Sequence, residues 1–157
     1  MCTAPPPPGI DRRAPASDAG GASGTAMTAV RGGGPVLAGW RVLVVEDEWL
    51  IAAQVARALE GAGAAVLGPA GSVALALALL ADGSPSPDAA LLDVNLGGEP
   101  VTPVAQALAG LGVPFALVTA YAAAGLDGPL RAAPRVGKPF TAAGLVRAVA
   151  RLRPEAG

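Results

Sequence analysis

The sequence predicts an open α/β sheet, with parallel strands in the middle and helices on both faces. Two observations carry that prediction. Strand and helix patterns alternate five times over about 115 residues. The strand patterns are short, unbroken apolar runs such as "VLVV" and "AALL", as expected where both faces of a sheet are covered. Parallel neighbours need crossover connections, and helices supply them.

The elements follow in order. Residues 1–38, including "TAPPPPGIDRRAPASDAGGASG" and "RGGGP", carry proline, glycine, alanine and serine without an apolar period. Such a segment buries too little to offset its ordering entropy, so disorder is expected there and a folded domain over 39–154. Met27 offers an alternative start within it. "RVLVVE" is the first strand. "EWLIAAQVARALEGAG" places Leu50, Ile51, Val55, Ala58 and Leu59 at helical spacing and stops at its glycines. "AAVLGPA" is the second strand. "SVALALALLAD" alternates like a strand, but alanine and leucine favour helix and Ser72 is a good cap.

"DAALLDV" is the third strand. "VTPVAQALAGLG" is a helix with Thr102 as cap and Pro103 in its first turn. "VPFALVTA" is the fourth strand. "AAAGLDGPLRAA" is poor helix material, broken by Gly125, Gly128 and Pro129. "PRVGKPF" is a short fifth strand, and "TAAGLVRAVARLR" a last helix capped by Thr141.

Composition excludes several classes. Among 157 residues there are 11 basic and 12 acidic ones, so no basic field invites nucleic acid. The chain has no histidine, which removes a His base or His metal ligand. Its one thiol, Cys2, cannot form an internal disulfide, which fits a reducing cytoplasm. Residues 61–81 carry no charge, but Gly68, Pro69, Gly71 and Ser72 break them into a strand, a turn and a helix rather than a membrane span. No signal peptide is evident.

Ligands of open α/β sheets bind beyond the carboxyl ends of the strands. There the sequence delivers Glu46 and Asp47 after the first strand, Asp93 after the third, Thr119 after the fourth and Lys138 after the fifth. Each has a simpler use alone. Glu48 suits a helix start, Asp93 a turn, Thr119 a satisfied hydroxyl and Lys138 a solvated surface. Their joint order is what points to a site. Carboxylates held close repel one another, and a hard cation such as Mg²⁺ relieves this with carboxylates, a carbonyl and waters.

In that order, "VLVVEDE", "LLDVNL", "LVTAY" and "GKPF" resemble the response regulator receiver domains of bacterial two-component signalling, over residues 41–153. The resemblance implies a flavodoxin-like sheet of order 2-1-3-4-5. It implies that Asp93 accepts a phosphoryl group from a histidine kinase or phosphotransfer protein. Glu46, Asp47, Asp93 and the backbone carbonyl of Asn95 would serve Mg²⁺, with Glu46 acting through water. Lys138 would pair with the acceptor, Thr119 would take a phosphoryl oxygen, and Lys138–Pro139 would be cis.

Three departures stand out. Arg135 occupies the position of the family's aromatic switch, leaving Tyr121 as a substitute gate or a packing residue. "VNLGGEPVTPVA" lacks the common proline-glycine pattern. The span from Thr119 to Lys138 is short and rich in glycine and proline, so its helix should be short or mobile. With "PFALVTAY", Pro114 to Tyr121, these resemble the single-domain subgroup marked by a "PFxFATGY"-like stretch.

Only "PEAG" follows Arg153, so a stand-alone receiver without an output domain is expected. It would not be an enzyme in its own right, and would work through a downstream protein partner or as a phosphate sink. The alternatives are a degenerate module that binds without phosphorylation and a metal-dependent phosphohydrolase. The latter is disfavoured by Asn95 where a second acid would stand.

Overall fold

The computed structural model describes residues 34–82, 86–120 and 126–152. A five-stranded sheet of order β2-β1-β3-β6-β7, parallel throughout, forms the middle layer. β1 is Arg41–Val45, β2 Ala65–Ala70, β3 Ala89–Asp93, β6 Phe115–Thr119 and β7 Arg135–Gly137. The helices are α1 Trp49–Gly61, α2 Val73–Asp82, α3 Thr102–Gly110, α4 Pro129–Ala132 and α5 Ala142–Ala150. A small antiparallel hairpin, β4 Asn95–Leu96 with β5 Glu99–Pro100, sits between β3 and α3. Leaving it aside, the order is the 2-1-3-4-5 that the family resemblance implies.

The central strands separate two cores. Leu43, Val45, Ala90, Leu92 and Leu117 face the side covered by α2 and α3. Val42, Val44, Leu91, Ala116 and Val118 face α1 and α5. Adjacent residues of a strand point to opposite faces, so a run that is apolar throughout is needed to fill both. Each valine or leucine among them contributes about 1.5–3 kcal/mol by leaving water.

Several boundaries differ from expectation. The domain begins before residue 39: Leu37 is wholly buried against the α1 and α5 core, and its N–H donates to the Ala62 carbonyl at 2.9 Å. In α1, Ala52, Val55 and Leu59 face the core, whereas Leu50 is 55 % exposed. One helical period fits more than one stripe, and packing against the sheet selects among them. Thr102 lies in the first turn of α3; Val101 holds the cap position, with no side-chain bond.

Other expectations hold. Ser72 caps α2 by accepting from the Leu75 N–H at 3.1 Å, and Thr141 caps α5 through the Gly144 N–H at 3.0 Å. The uncharged run divides among the end of α1, β2 and α2. Among the described residues no helix is long and apolar enough to cross a membrane. α4 is a single turn, as the glycines and prolines around it require. Within β2, Gly68 has φ +91°, and a Cβ there would lie 2.7 Å from the Ala70 nitrogen and 2.9 Å from the Val44 carbonyl oxygen. Glycine alone fits where the β1–β2 register shifts. Tyr121 and Met27 lie outside the described residues.

Candidate functional site

Four strand ends bring the candidate residues together. At the end of β1 the Glu46 N–H donates to the Ala70 carbonyl at 3.0 Å, which ties the backbone to β2 and turns the side chain inward, 4 % exposed. Asp47 follows and is exposed. β3 ends on Asp93, half-buried between β1 and β6. β6 ends on the buried Thr119, opposite Gly137 of β7. The Lys138 N–H donates to the Thr119 carbonyl at 3.0 Å, so the lysine starts its reach from a fixed point. The peptide bond to Pro139 is cis.

Lys138 bridges two carboxylates. Its Nζ stands 3.0 Å from Glu46 Oε2 and 3.4 Å from Asp93 Oδ2. The expected pairing with Asp93 is present, but the nearer partner is Glu46. The remaining acceptors are engaged too. Glu46 Oε1 accepts from the Glu48 N–H at 3.1 Å, and Asp93 Oδ1 from the Asn95 N–H at 3.3 Å. Glu48 itself occupies the cap position of α1 and makes no side-chain cap bond.

Electrostatics follow from this geometry. Burial pushes the Glu46 carboxyl up from 4.5 to about 7; the Lys138 hydrogen bond opposes this and the Asp93 charge adds to it. Burial alone would lower Lys138. The hydrogen bond to Glu46 and the Asp93 charge outweigh it and hold the ammonium above its ordinary range. Lys138 therefore stays charged.

One carboxylate oxygen each from Glu46, Asp47 and Asp93 lie within 4.8 Å of one another. An octahedral Mg²⁺ with bonds of about 2.1 Å sets its ligand oxygens about 3–4 Å apart, so a cluster of this span suits one ion held directly by two of the carboxylates and through water by the third. One ammonium does not balance three carboxylates, so the donor set suits a divalent cation.

The hairpin after Asp93 is what the motif pattern did not foretell. Gly97 and Gly98, both with positive φ, turn it, and the Gly98 N–H donates to Asn95 Oδ1 at 2.8 Å. The glycine pair between "NL" and "EP" is the hairpin signal that the sequence carried. A Cβ on Gly97 would stand 3.5 Å from Asp47 Oδ2, so the turn passes close over the acids. Pro100 is paired with Asn95 and has no N–H, so it does not compete for the Asn95 carbonyl.

Arg135 is exposed at the start of β7 and donates through Nη2 to the Arg131 carbonyl at 3.1 Å. This bond ties the start of β7 to α4.

SdrG from Sphingomonas melonis Fr1 is 43% identical to this chain, with a TM-score of 0.63; the match covers 74% of this chain and 97% of SdrG. The signal receiver domain of a modulated diguanylate cyclase from Desulfovibrio desulfuricans G20 is 30% identical, covering 72% of this chain and 92% of that one, with a TM-score of 0.60. The chain belongs to the response regulator receiver family. The response regulator PhyR from Brucella abortus shares the receiver fold at 24% identity and a TM-score of 0.61, over 72% of this chain. The receiver chain spans about half of that protein, covering 47% of it. No family model and no curated protein matches the sequence.

Proposed function

We propose that this receiver takes a phosphoryl group onto Asp93 from a histidine kinase or phosphotransfer protein, in a Mg²⁺-dependent reaction. The observation that carries the reading is the cluster of Glu46, Asp47 and Asp93 within 4.8 Å, with Lys138 bridging Glu46 and Asp93. An Asp93 carboxylate oxygen attacks the phosphorus of a phosphohistidine. An O–P bond forms, the N–P bond breaks, and the imidazole nitrogen leaves with the electron pair. Asp93 becomes an acyl phosphate.

Phosphoryl transfer needs positioning and neutralisation of oxygen charge. Lys138 holds the acceptor carboxylate before transfer and meets the phosphoryl oxygens after it. Thr119, at the neighbouring strand end, offers its hydroxyl to a phosphoryl oxygen. Asp47, Asp93 and the Asn95 carbonyl would hold Mg²⁺, with Glu46 acting through water; Mg²⁺ supplies charge neutralisation at the transferring group.

The product dianion then acts on partners by contact from a cytoplasmic receiver, or the protein serves as a phosphate sink. The short α4 is consistent with the "PFxFATGY"-like subgroup.

Intact mass after incubation with Mg²⁺ and a small-molecule phosphodonor tests the reading. We expect a gain of one phosphoryl group, absent with EDTA and absent in Asp93→Ala. Arg135 in place of the aromatic favours a second reading, a module that binds without phosphorylation, and no gain in mass would decide for it. Turnover of a generic phosphate ester would decide for a phosphohydrolase. Against that, Asn95 Oδ1 is already engaged by the hairpin turn.

A further inference from the structure

α2 lacks the polar outer face that α1 and α5 present. α1 turns Gln54, Arg57 and Glu60 to the outside, and α5 turns Arg147 outward. α2 buries Val73, Ala76 and Leu80, yet its exposed positions Ala74, Leu75, Ala78 and Leu79 are apolar too. Leu75 is 48 % exposed and Leu79 38 %. No charge occurs from Val73 to Ala81. α3, packed beside α2, is likewise uncharged from Val101 to Leu111, and Leu111 is exposed. None of these residues joins the strand-end site.

A helix that is apolar all round is a buried helix. Ten residues are too few for a membrane span, which takes about 20. A helix that lies on a lipid surface carries basic residues on its polar face, and α2 has none. The cover for α2 is therefore protein. A partner with a charged docking face would bury its charges with no answer on α2 or α3. The same face on a second copy brings no charge to bury. Its shape fits itself as well. Leu75 and Leu79, four apart, form a ridge, and Ala74 and Ala78 form a shallow row beside it. An isologous contact needs one patch to supply both the knob and the hole, and α2 supplies both.

From this self-complementarity we infer that two copies of the chain associate through the α2–α3 face, about a two-fold axis, with α2 packed antiparallel on α2. The direction follows from Asp82, the first charge after the apolar run. Antiparallel packing centred between Ala74 and Leu79 sets the two Asp82 residues about 15 Å apart along the helices, beyond the ~8 Å screening length at physiological salt. Parallel packing would set them side by side. Leu75 and Leu79 of each copy enter the alanine row of the other, and α3 widens the contact.

Sedimentation equilibrium of the full chain, without Mg²⁺ or phosphodonor, tests this. The mass should rise with concentration towards twice that of the monomer, below about 1 mM protein. Leu75→Glu with Leu79→Glu should associate at least about tenfold more weakly, and so should Leu75→Lys with Leu79→Lys. Mixing the two variants should restore the dimer, because each then meets opposite charge. That rescue separates a lost contact from a lost fold. Circular dichroism and phosphoryl uptake at Asp93 should be native in both. Asp93→Ala should associate as the native chain does, so the outcome is independent of the phosphorylation reading. A monomer at every concentration up to about 1 mM, association that survives the glutamate pair, or no rescue on mixing would overturn the proposal. So would leucine-dependent binding to phosphatidylcholine vesicles without self-association, which would make a membrane the occupant.

Discussion

Replacing Glu46 by glutamine should remove a pH dependence of stability that the metal-free protein otherwise shows. Glu46 is 4 % exposed and its carboxyl is raised from 4.5 to about 7, first by burial. Between those values the folded protein holds a proton that the unfolded chain has released. The folded-state pKa is the higher one, so this contribution to stability is complete below about pH 4.5 and is lost as pH rises through about 7. At about 1.4 kcal/mol per pH unit, the interval from 4.5 to about 7 corresponds to about 3 kcal/mol. Glutamine keeps the shape and an acceptor for Lys138 and has no proton to lose. Unfolding free energies from urea titrations with EDTA from pH 5 to 8 should therefore fall for the native sequence relative to Glu46→Gln, by an amount of that order. Excess Mg²⁺ should flatten the native curve, because the cation takes over the role of the proton. Parallel curves for the two proteins in EDTA would refute the reasoning, since Glu46 would then not be the group that titrates.

Leu37→Ala should cost about 2–5 kcal/mol with an unchanged denaturant slope, because the side chain is wholly buried; a negligible cost would return the domain boundary to residue 39. Gly68→Ala should cost about 2 kcal/mol or more, read by the thermal midpoint, because a Cβ meets backbone at 2.7 and 2.9 Å and φ is +91°. Thr141→Ala removes the α5 cap and should cost about 1 kcal/mol, with Thr141→Ser close to native.

Much of the fold was legible because its signals are local. "VLVV" and "AALL" announce strands covered on both faces, and Ser72 and Thr141 sit where caps are needed. The glycines and prolines around α4 foretell its single turn. The misreadings are also instructive. Leu50 and Leu37 are equally apolar in sequence, yet one is exposed and the other buried. The difference lies in which stripe of α1 meets the sheet, and in the Leu37–Ala62 bond that folds a proline-flanked segment onto the domain. Thr102 has a capping side chain, but Pro103 fits either of the first helical positions, so its presence does not mark the cap.

The candidate site divides in the same way. Strand ends are readable, so Glu46, Asp47, Asp93, Thr119 and Lys138 could be named one after another. Their mutual distances could not be read, because they depend on strand order and register between segments up to 92 positions apart.

The sequence by itself determined the alternation of strand and helix and the kind of residue at each strand end, since both arise from side-chain periodicity within a few residues. Tertiary structure alone decided that Lys138 lies nearer Glu46 than Asp93, and that Glu46 is buried where Asp47 is exposed. It also decided that a two-glycine turn comes to rest beside the acids. Those outcomes depend on how non-neighbouring segments pack, and the strength of every charge in the site follows from how much water that packing excludes.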